Sequence, residues 1–349
     1  METGTAYRNL AEHLSAGDDS PSFVIRPPRI PDDAIAPAPH KNGMIGVYSS
    51  GSTGKPKLNW WNLELLLKNC SKSGSTEGWT WATCYHPWSF AGVQLACQAH
   101  VSKGKVLFLG RDWKKNHSLL QNENPQALSA TPTFIDLLIQ STNPSNESNE
   151  SPKQITMGGE ILRPPTGARI QEAFPASRKT LIYATAELGI IAKTNRMDGW
   201  FPLTSLKQQF SNFKLTDNVL NLEFQGTWVS TRDLCELEGD HFRITGRLDR
   251  VLNIGGEKIC LDQIETVAES FQEVRRANAQ AKPNAITGYI VALDLEPTTP
   301  DADDALLDDI MNQMRKLLPK PAWPRWYSWN KIREMNNGKR SFNKLDPIK

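Results

Sequence analysis

The feature that most constrains the fold is an alternation of short apolar runs with longer helix-like stretches in the first half of the chain. The apolar runs have the length and composition of buried β-strands, and the stretches between them have the spacing of helices. Strands that alternate with helices favour a largely parallel sheet, because each parallel connection needs a crossover segment. The predicted strands are Met44–Tyr48, Lys105–Leu109, Gln154–Met157 and Thr180–Tyr183, and the predicted helices are Asn62–Asn69, Thr133–Gln140 and Ala168–Phe174.

The second half of the chain has a different pattern, in which short β-like pieces are separated by turn residues. It predicts a β-rich subdomain, with strands that include Gly226–Val229, His241–Ile244 and Val251–Ile254. A compact α+β domain is predicted after it, with helices over Leu261–Phe271 and Ala305–Leu318 and a strand over Ile286–Leu293. At the other end, residues 1–42 are rich in Pro, Asp and Ala, and we expect them to form an arm that packs on something else.

Charge and cysteine content exclude several classes of protein. The 349 residues carry 40 Lys and Arg against 38 Asp and Glu, and this near-neutral balance argues against a partner bound by bulk charge, such as nucleic acid. No apolar run approaches the roughly 18 residues of a membrane span, and the first residues lack the order of a signal peptide. Five scattered cysteines indicate reduced thiols, so we expect a cytoplasmic protein.

One loop directly after a predicted strand has the composition of a phosphate-binding loop. Its glycines allow backbone N–H groups to approach a polyphosphate, while hydroxyls and lysines supply donors and positive charge. It is not a Walker A loop, because Pro56 stands where that motif has Ser or Thr. The alternative is a flexible surface turn. The candidate phosphate ligands are Ser49, Ser50, Gly51, Ser52, Thr53, Gly54, Lys55 and Lys57.

Further candidate motifs follow other predicted strands. Tyr183 could stack on a purine, and Glu187 could hold Mg²⁺ beside phosphates. A planar base could lie against the paired glycines of Gly158–Glu160. Each has an ordinary alternative, namely a core tyrosine, a helix-capping glutamate and a tight turn.

Two charged motifs lie later in the chain. Asp233 could accept the hydroxyls of a ribose, and Arg247 could donate to the sugar or to a phosphate. Lys339, after Asn-Gly, could deliver one positive charge to a developing anion. The alternatives are a charged β-turn network and a solvated surface turn.

The order of these motifs along the chain is more informative than any one of them. From about Met44 to Leu345 it resembles the adenylate-forming superfamily, which includes acyl- and aryl-CoA synthetases, peptide-synthetase adenylation domains and luciferases. The compact C-terminal part is most similar to the o-succinylbenzoate–CoA ligases of menaquinone and phylloquinone synthesis. The motifs are SSGSTGKPK, GGE, YATAE, STRD, GRLDRVLNIGGEK and NGK.

This resemblance implies an AMP-forming acid–thiol ligase that uses ATP, Mg²⁺ and coenzyme A. A small-molecule carboxylic acid, with o-succinylbenzoate as the expected one, would form an acyl-adenylate, and a thiol would then displace AMP. The resemblance also implies two domains, a large one over residues 1–248 that binds ATP and the acid and a small mobile one over residues 249–349. Asp249 lies at the hinge position, and Lys339 at the position of the adenylation lysine.

The remaining roles are carried over motif by motif. The phosphate loop would hold the β- and γ-phosphates, and Glu187, with Thr185 beside it, would hold Mg²⁺. Adenine would be framed by Gly158, Gly159, Glu160 and Tyr183, and the ribose would be bound by Asp233 and Arg247. The thiol tunnel would be lined by Gly255, Gly256 and Lys258, and the substrate gate would be His86 or Trp88.

Some positions depart from the superfamily pattern. Ala186 replaces a threonine, and Arg232 stands beside the ribose position. The phosphate loop also begins near residue 49, whereas relatives have a longer N-terminal region, so we expect a partner or a second copy to cover the exposed face. Trp60 and Trp61 could serve such a contact or lie in the core. Two alternatives to the CoA ligase remain open: a ligase that loads a carrier protein, and a degenerate nucleotide-binding homologue.

Overall fold

The computed structural model describes residues 3–17, 21–25, 27, 42–49, 57–141 and 152–332, which divide into two compact units. The first unit holds the described residues up to 160 together with 169–197, and the second holds 161–168 and 198–332. The elements up to residue 194 are α1 (Thr3–Ala16), β1 (Phe23–Val24), β2 (Met44–Tyr48), β3 (Leu58–Asn62), α2 (Leu63–Lys68), β4 (Thr80–Thr83), α3 (Phe90–Val101), β5 (Lys105–Phe108), α4 (Trp113–Glu123), β6 (Ala127–Ala130), α5 (Pro132–Ser141), β7 (Gln154–Gly158), α6 (Pro164–Ala173), β8 (Arg178–Thr185) and β9 (Gly189–Thr194).

The first unit is built on a six-stranded sheet in the order β5-β4-β6-β7-β8-β9. All its neighbouring strands are parallel except β8 and β9. This sheet, with helices in the connections, confirms the predicted α/β class. The expectation for Met44–Tyr48 was wrong in one respect: as β2 it lies in a separate three-stranded sheet, parallel to β1 and antiparallel to β3.

The strand order reverses at β4, which determines where a ligand can bind. The chain passes from β4 to β5 on one side and then places β6 on the other side of β4. In an open parallel sheet, such a reversal leaves a crevice outside the carboxyl ends of the two strands that flank it. The residues that follow β4 and β6 therefore lie at the edge where a ligand site is expected.

The N-terminal segment packs within the first unit, which corrects part of the expectation for residues 1–42. Helix α1 buries Ala6, Tyr7, Leu10 and Leu14 in a cluster with residues of α3 and β2. Their spacing places them on one face of the helix. Residues 28–41 lie outside the described part of the chain.

Among the residues that the structure describes, the second unit contains three sheets and three further α-helices. Its five-stranded sheet is antiparallel, in the order β10-β14-β13-β12-β11, and β17-β18-β19 forms a three-stranded sheet on which α8 and α9 build a continuous apolar core. No helix among the residues that the structure describes is long and apolar enough to cross a membrane. The elements are β10 (Trp200–Pro202), α7 (Leu203–Gln209), β11 (Phe213–Thr216), β12 (Val219–Phe224), β13 (Thr227–Glu238), β14 (His241–Arg247), β15 (Val251–Ile254), β16 (Glu257–Cys260), α8 (Leu261–Ala268), β17 (Val274–Asn284), β18 (Gly288–Pro297), α9 (Asp304–Leu317) and β19 (Pro324–Trp329).

A buried network of charges stabilises the second unit. Arg163 donates to Glu265 and to Glu269, with N–O distances of 2.5 Å to each, and its side chain is only 5% exposed. Arg250 donates to Glu265 and, at 2.8 Å, to Asp262. Backbone amides of β17 also donate to both glutamates. Buried charges need partners of this kind, because an unpaired one is costly.

We expect Arg163→Met to destabilise the protein by about 3–5 kcal/mol, because two buried carboxylates lose their shared cation. The midpoint and slope of urea unfolding measure this loss. Lys103→Met is the matched control, since it removes the exposed ion pair between Lys103 and Glu77 (2.7 Å) and should change the midpoint little. Equal effects of the two substitutions would contradict a structural role for the buried network.

Candidate functional site

In the first unit, predicted site residues from three motifs lie at the carboxyl edge of the six-stranded sheet. His86 follows β4, Gly158 ends β7, and Thr185 ends β8. Because parallel strands run in the same direction, their carboxyl ends meet at one edge. The sheet therefore brings together motifs that are about a hundred residues apart in the sequence.

The turn Gly158–Glu160, which we call the purine turn, has a backbone that other residues would not adopt readily. A Cβ on Gly158 would lie 2.9 Å from the carbonyl oxygen of Ile182, and Gly159 has φ +81°. The Glu160 carboxylate accepts from the backbone N–H of Thr133 at 3.3 Å, at the start of α5. Gly159 is exposed, and Glu160 has a helix-capping contact that sequence reasoning missed.

The turn after β8 is held by a hydrogen bond from the buried side chain of Trp61. The indole N–H of Trp61 donates to the carbonyl of Ala186 at 2.9 Å, and its ring would be 2.8 Å from a Cβ on Gly189. Trp61 is 7% exposed, so it is a core residue. The Thr185 hydroxyl accepts from the N–H of Leu188 at 3.0 Å, and Glu187 is exposed beside it.

Tyr183 and Glu187 have different environments. Tyr183 lies within the β8–β9 ladder opposite Ala192 and is half-buried. The exposed Glu187 carboxylate suits Mg²⁺, which proteins often bind through one or two carboxylates together with substrate phosphates. Among the residues that the structure describes, no group of three or more His, Cys, Asp or Glu is placed to hold a metal ion by itself.

Two of the predicted phosphate ligands are described, and they pair with each other. The N–H of Ser49 donates to the carbonyl of Lys57 at 2.8 Å, and the N–H of Lys57 donates back to the Ser49 hydroxyl at 3.3 Å. They close the base of the loop between β2 and β3. The other phosphate ligands lie outside the described residues: Ser50, Gly51, Ser52, Thr53, Gly54 and Lys55.

The predicted gate residues form an aromatic stack. The rings of His86 and Trp88 lie 4.3 Å apart and almost parallel, and Phe108 contacts His86 at 5.4 Å. The carbonyl of Trp88 accepts from the backbone N–H of Tyr48 at 2.9 Å. The gate loop is therefore joined to the strand that leads into the phosphate loop.

In the second unit, the predicted ribose ligands pair with each other. Asp233 is 4% exposed and accepts from Arg247 at 3.0 Å, across the β13–β14 ladder. The Arg247 guanidinium also contacts Asp249 at 3.3 Å, and its backbone N–H donates to Asp262 at 2.9 Å. Arg247 thus links the predicted ribose ligand to the predicted hinge residue.

The predicted thiol-tunnel residues form the β15–β16 turn. Gly255 and Gly256 both have positive φ, at +60° and +92°, as a tight hairpin turn requires. The N–H of Gly255 donates to the carbonyl of Thr287 at 3.1 Å. Lys258 is exposed and pairs with Asp217 at 3.1 Å, while Lys339 lies outside the described part of the chain.

The cysteines are all buried and form no disulfide. Burial raises the pKa of Cys70 to about 12 and that of Cys260 to about 11. These thiols therefore stay protonated at neutral pH, and neither is an activated nucleophile.

Comparison with known proteins gives one family and a consistent fold. The profile of the family described as AMP-binding enzyme matches residues 8–211. A D-alanine–D-alanyl carrier protein ligase of Staphylococcus epidermidis is 25% identical over 326 residues, covering 81% of this chain and 66% of the relative. The same kind of ligase from Staphylococcus aureus strain Newman is 23% identical, and the match covers 86% of this chain and 70% of the relative. The chain thus spans about two thirds of the length of these curated relatives.

Solved structures with a similar fold include an anthranilate CoA ligase in complex with anthranoyl-AMP, with a TM-score of 0.66, 16% identity and coverage of 88% of this chain and 68% of that one. Another is the o-succinylbenzoate CoA synthetase of Bacillus subtilis in complex with its acyl-adenylate intermediate. Its TM-score is 0.61 at 18% identity, and the match covers 85% of this chain and 67% of that one. At these identities the likeness establishes the fold alone, and it agrees with the α/β class.

We expect Arg232→Gly to stabilise the protein by about 1 kcal/mol, because Arg232 has φ +61°, a left-handed conformation that glycine adopts without strain. Urea unfolding measures the change. Arg232→Lys is the matched control, since it keeps both the positive charge and the Cβ and should leave stability unchanged. A midpoint for Arg232→Gly at or below that of the parent would contradict backbone strain at Arg232.

Proposed function

The chain belongs to the AMP-binding enzyme family, in the adenylate-forming superfamily, and we propose that it activates a carboxylic acid with ATP and transfers the acyl group to a thiol. A carboxylate oxygen attacks the α-phosphorus, and the bond to the bridging oxygen of the β-phosphate breaks, so that pyrophosphate leaves. A thiol sulfur then attacks the acyl carbon and AMP leaves. The main support is the meeting of the purine turn, the gate and the Glu187 turn at one edge of the first unit's sheet.

We propose a carrier-protein phosphopantetheine as the thiol. The curated relatives are carrier protein ligases, and the CoA ligases among the solved structures share only the fold. This departs from the acceptor favoured by the sequence motifs, which was coenzyme A. Both acceptors present the same phosphopantetheine arm, so the distinction concerns the surface that surrounds it. The buried thiols suit a reducing compartment, and we therefore place the reaction in the cytoplasm.

The roles of individual residues follow from their positions. The purine turn and Tyr183 would contact adenine, and Ser49 with Lys57 would anchor the loop around the phosphates. Glu187 would hold Mg²⁺, which would neutralise phosphate charge. Lys339 would stabilise the negative charge that develops during adenylation.

The second half-reaction needs a rearrangement of the C-terminal part. We propose that residues 249–349 rotate about Asp249, so that Lys339 leaves the α-phosphate and the Gly255–Gly256 turn approaches the thiol. A rotation of this kind lets one active site place a lysine at the α-phosphate in the first step and admit a thiol to the acyl carbon in the second.

We expect the purified protein, with ATP, Mg²⁺ and an acid, to release AMP and to acylate a phosphopantetheine-loaded carrier protein in preference to coenzyme A. Mass spectrometry of both acceptors, with a panel including D-alanine, anthranilate and o-succinylbenzoate, measures the outcome. Lys339→Ala should lose acyl-adenylate formation and keep thiolysis of supplied acyl-adenylate, because the lysine acts only in the first step. Lys344→Ala is the matched control and should retain both steps.

The outcomes separate the candidate functions. Acyl-CoA without acyl-carrier product would replace the carrier protein by coenzyme A as acceptor. ATP binding without any product across the panel would favour a nucleotide-binding homologue without turnover. Equal loss of both half-reactions in Lys339→Ala would contradict the rotation about Asp249.

We expect Asp233→Ala to raise the dissociation constant for ATP about tenfold and to leave that for 2′,3′-dideoxy-ATP unchanged, because only ATP has ribose hydroxyls for this carboxylate to accept from. Calorimetric titration of both nucleotides measures the difference. Equal weakening of both would mean that Asp233 acts through the folding of β13 and β14 rather than on the sugar.

A further inference from the structure

Two buried tyrosines outside the motifs connect the N-terminal helix to the purine turn. The hydroxyl of Tyr7, in α1, donates to the carbonyl oxygen of Tyr85 at 2.7 Å. The hydroxyl of Tyr85 donates in turn to the carbonyl oxygen of Gly158 at 2.9 Å. Tyr7 and Tyr85 are 6% and 8% exposed. We call this pair of hydrogen bonds the tyrosine relay.

The relay reaches across the sheet edge. Tyr85 follows β4 and Gly158 ends β7, with β6 between them. Neighbouring strands lie about 4.8 Å apart, so a contact between these two positions needs a long side chain. Phenylalanine at position 85 would fill the same space and leave the Gly158 carbonyl without this donor.

The hydroxyls of the relay remain donors over the whole neutral range. Burial raises the pKa of Tyr7 and the pKa of Tyr85 well above the ordinary value, and the charge of a Cys84 thiolate would raise them further. Both phenols are therefore protonated. A buried hydroxyl that lost its acceptor would carry a desolvation penalty, which holds each bond in place.

The backbone of the purine turn needs a hydrogen bond from another element to fix its conformation. Two successive glycines have wide backbone freedom, and Gly159 is exposed at φ +81°. The Gly158 carbonyl belongs to the peptide group that connects both glycines, so a bond to its oxygen orients that group. Glu160 is fixed separately by Thr133. Tyr85 thus orients the Gly158–Gly159 peptide group, which the contact of Glu160 with Thr133 does not reach.

We propose that Tyr85 is a positioning residue for nucleotide binding, which holds the Gly158–Gly159 peptide in the orientation that receives the purine, and that Tyr7 supports it from α1. This inference rests on the proposed function. The position of Tyr7 depends on Gly92, in α3. A Cβ on Gly92 would lie 3.0 Å from the Tyr7 hydroxyl and 2.0 Å from the carbonyl oxygen of His86. Only glycine leaves room for α1 and the gate loop to meet at this point.

We expect Tyr85→Phe to raise the dissociation constant for ATP about tenfold, the effect of losing one buried hydrogen bond that orients the site. Binding of inorganic tripolyphosphate should be unchanged, because that ligand has no purine. Calorimetric titration of the full chain with each ligand measures both values. Tyr7→Phe should weaken ATP binding in the same direction and by less, since it acts on Tyr85 rather than on the turn.

Tyr327→Phe is the matched control, since it removes a tyrosine hydroxyl that donates to Asp308 at 3.0 Å in the second unit. It should bind ATP as the parent does. If Tyr85→Phe and Tyr7→Phe lower the urea midpoint but bind ATP like the parent, the relay is structural and the inference is wrong. Equal weakening of ATP and tripolyphosphate would also overturn it. Failure of the parent itself to bind ATP would instead overturn the proposed function.

Discussion

The candidate site depends on the parallel pairing of β4, β6, β7 and β8, because only parallel strands end together at one edge. The reversal of strand order at β4 marks that edge as the place where open α/β sheets bind ligands. Motifs that the chain separates by long helical crossovers become neighbours there. If one of these strands ran antiparallel, its loop would lie at the opposite edge, and the purine turn and the gate would be separated by the length of a strand.

The loops at this edge are held by side chains and backbone groups from other elements. Trp61 donates to the Glu187 turn, Tyr85 to the purine turn, and Tyr48 to the gate loop. Glycines at the contact points allow these approaches, as at Gly189 against the Trp61 ring. The loops can therefore remain short and accessible to a ligand and still have a defined backbone, which is the preorganisation that binding needs.

The periodicity of apolar residues predicted strands and helices that are defined by their own local sequence. Val251–Ile254 was placed correctly as a strand, and Thr133–Gln140 lies within the observed helix α5. The sheet to which Met44–Tyr48 belongs could not be read in this way, because its partners β1 and β3 are selected by tertiary pairing. The role of Tyr85 was missed for a similar reason. The run Trp79–Tyr85 has the aromatic and β-branched content of a strand, but no local pattern reveals a hydrogen bond to a turn more than seventy residues away.

The buried charge network places a condition on the proposed rotation about Asp249. Arg163 precedes the hinge, whereas Arg250, Glu265 and Glu269 follow it, so rotation would separate Arg163 from both glutamates. The glutamates would keep their bonds from β17 amides, and Glu265 would also keep Arg250. Both glutamates would still lose the cation whose removal is expected to destabilise Arg163→Met, and these remaining partners would offset part of that loss. Breaking a buried ion pair without such compensation costs about 3–5 kcal/mol. The distribution of partners in this network would therefore lower the cost of the proposed rotation below that of leaving the glutamates without partners.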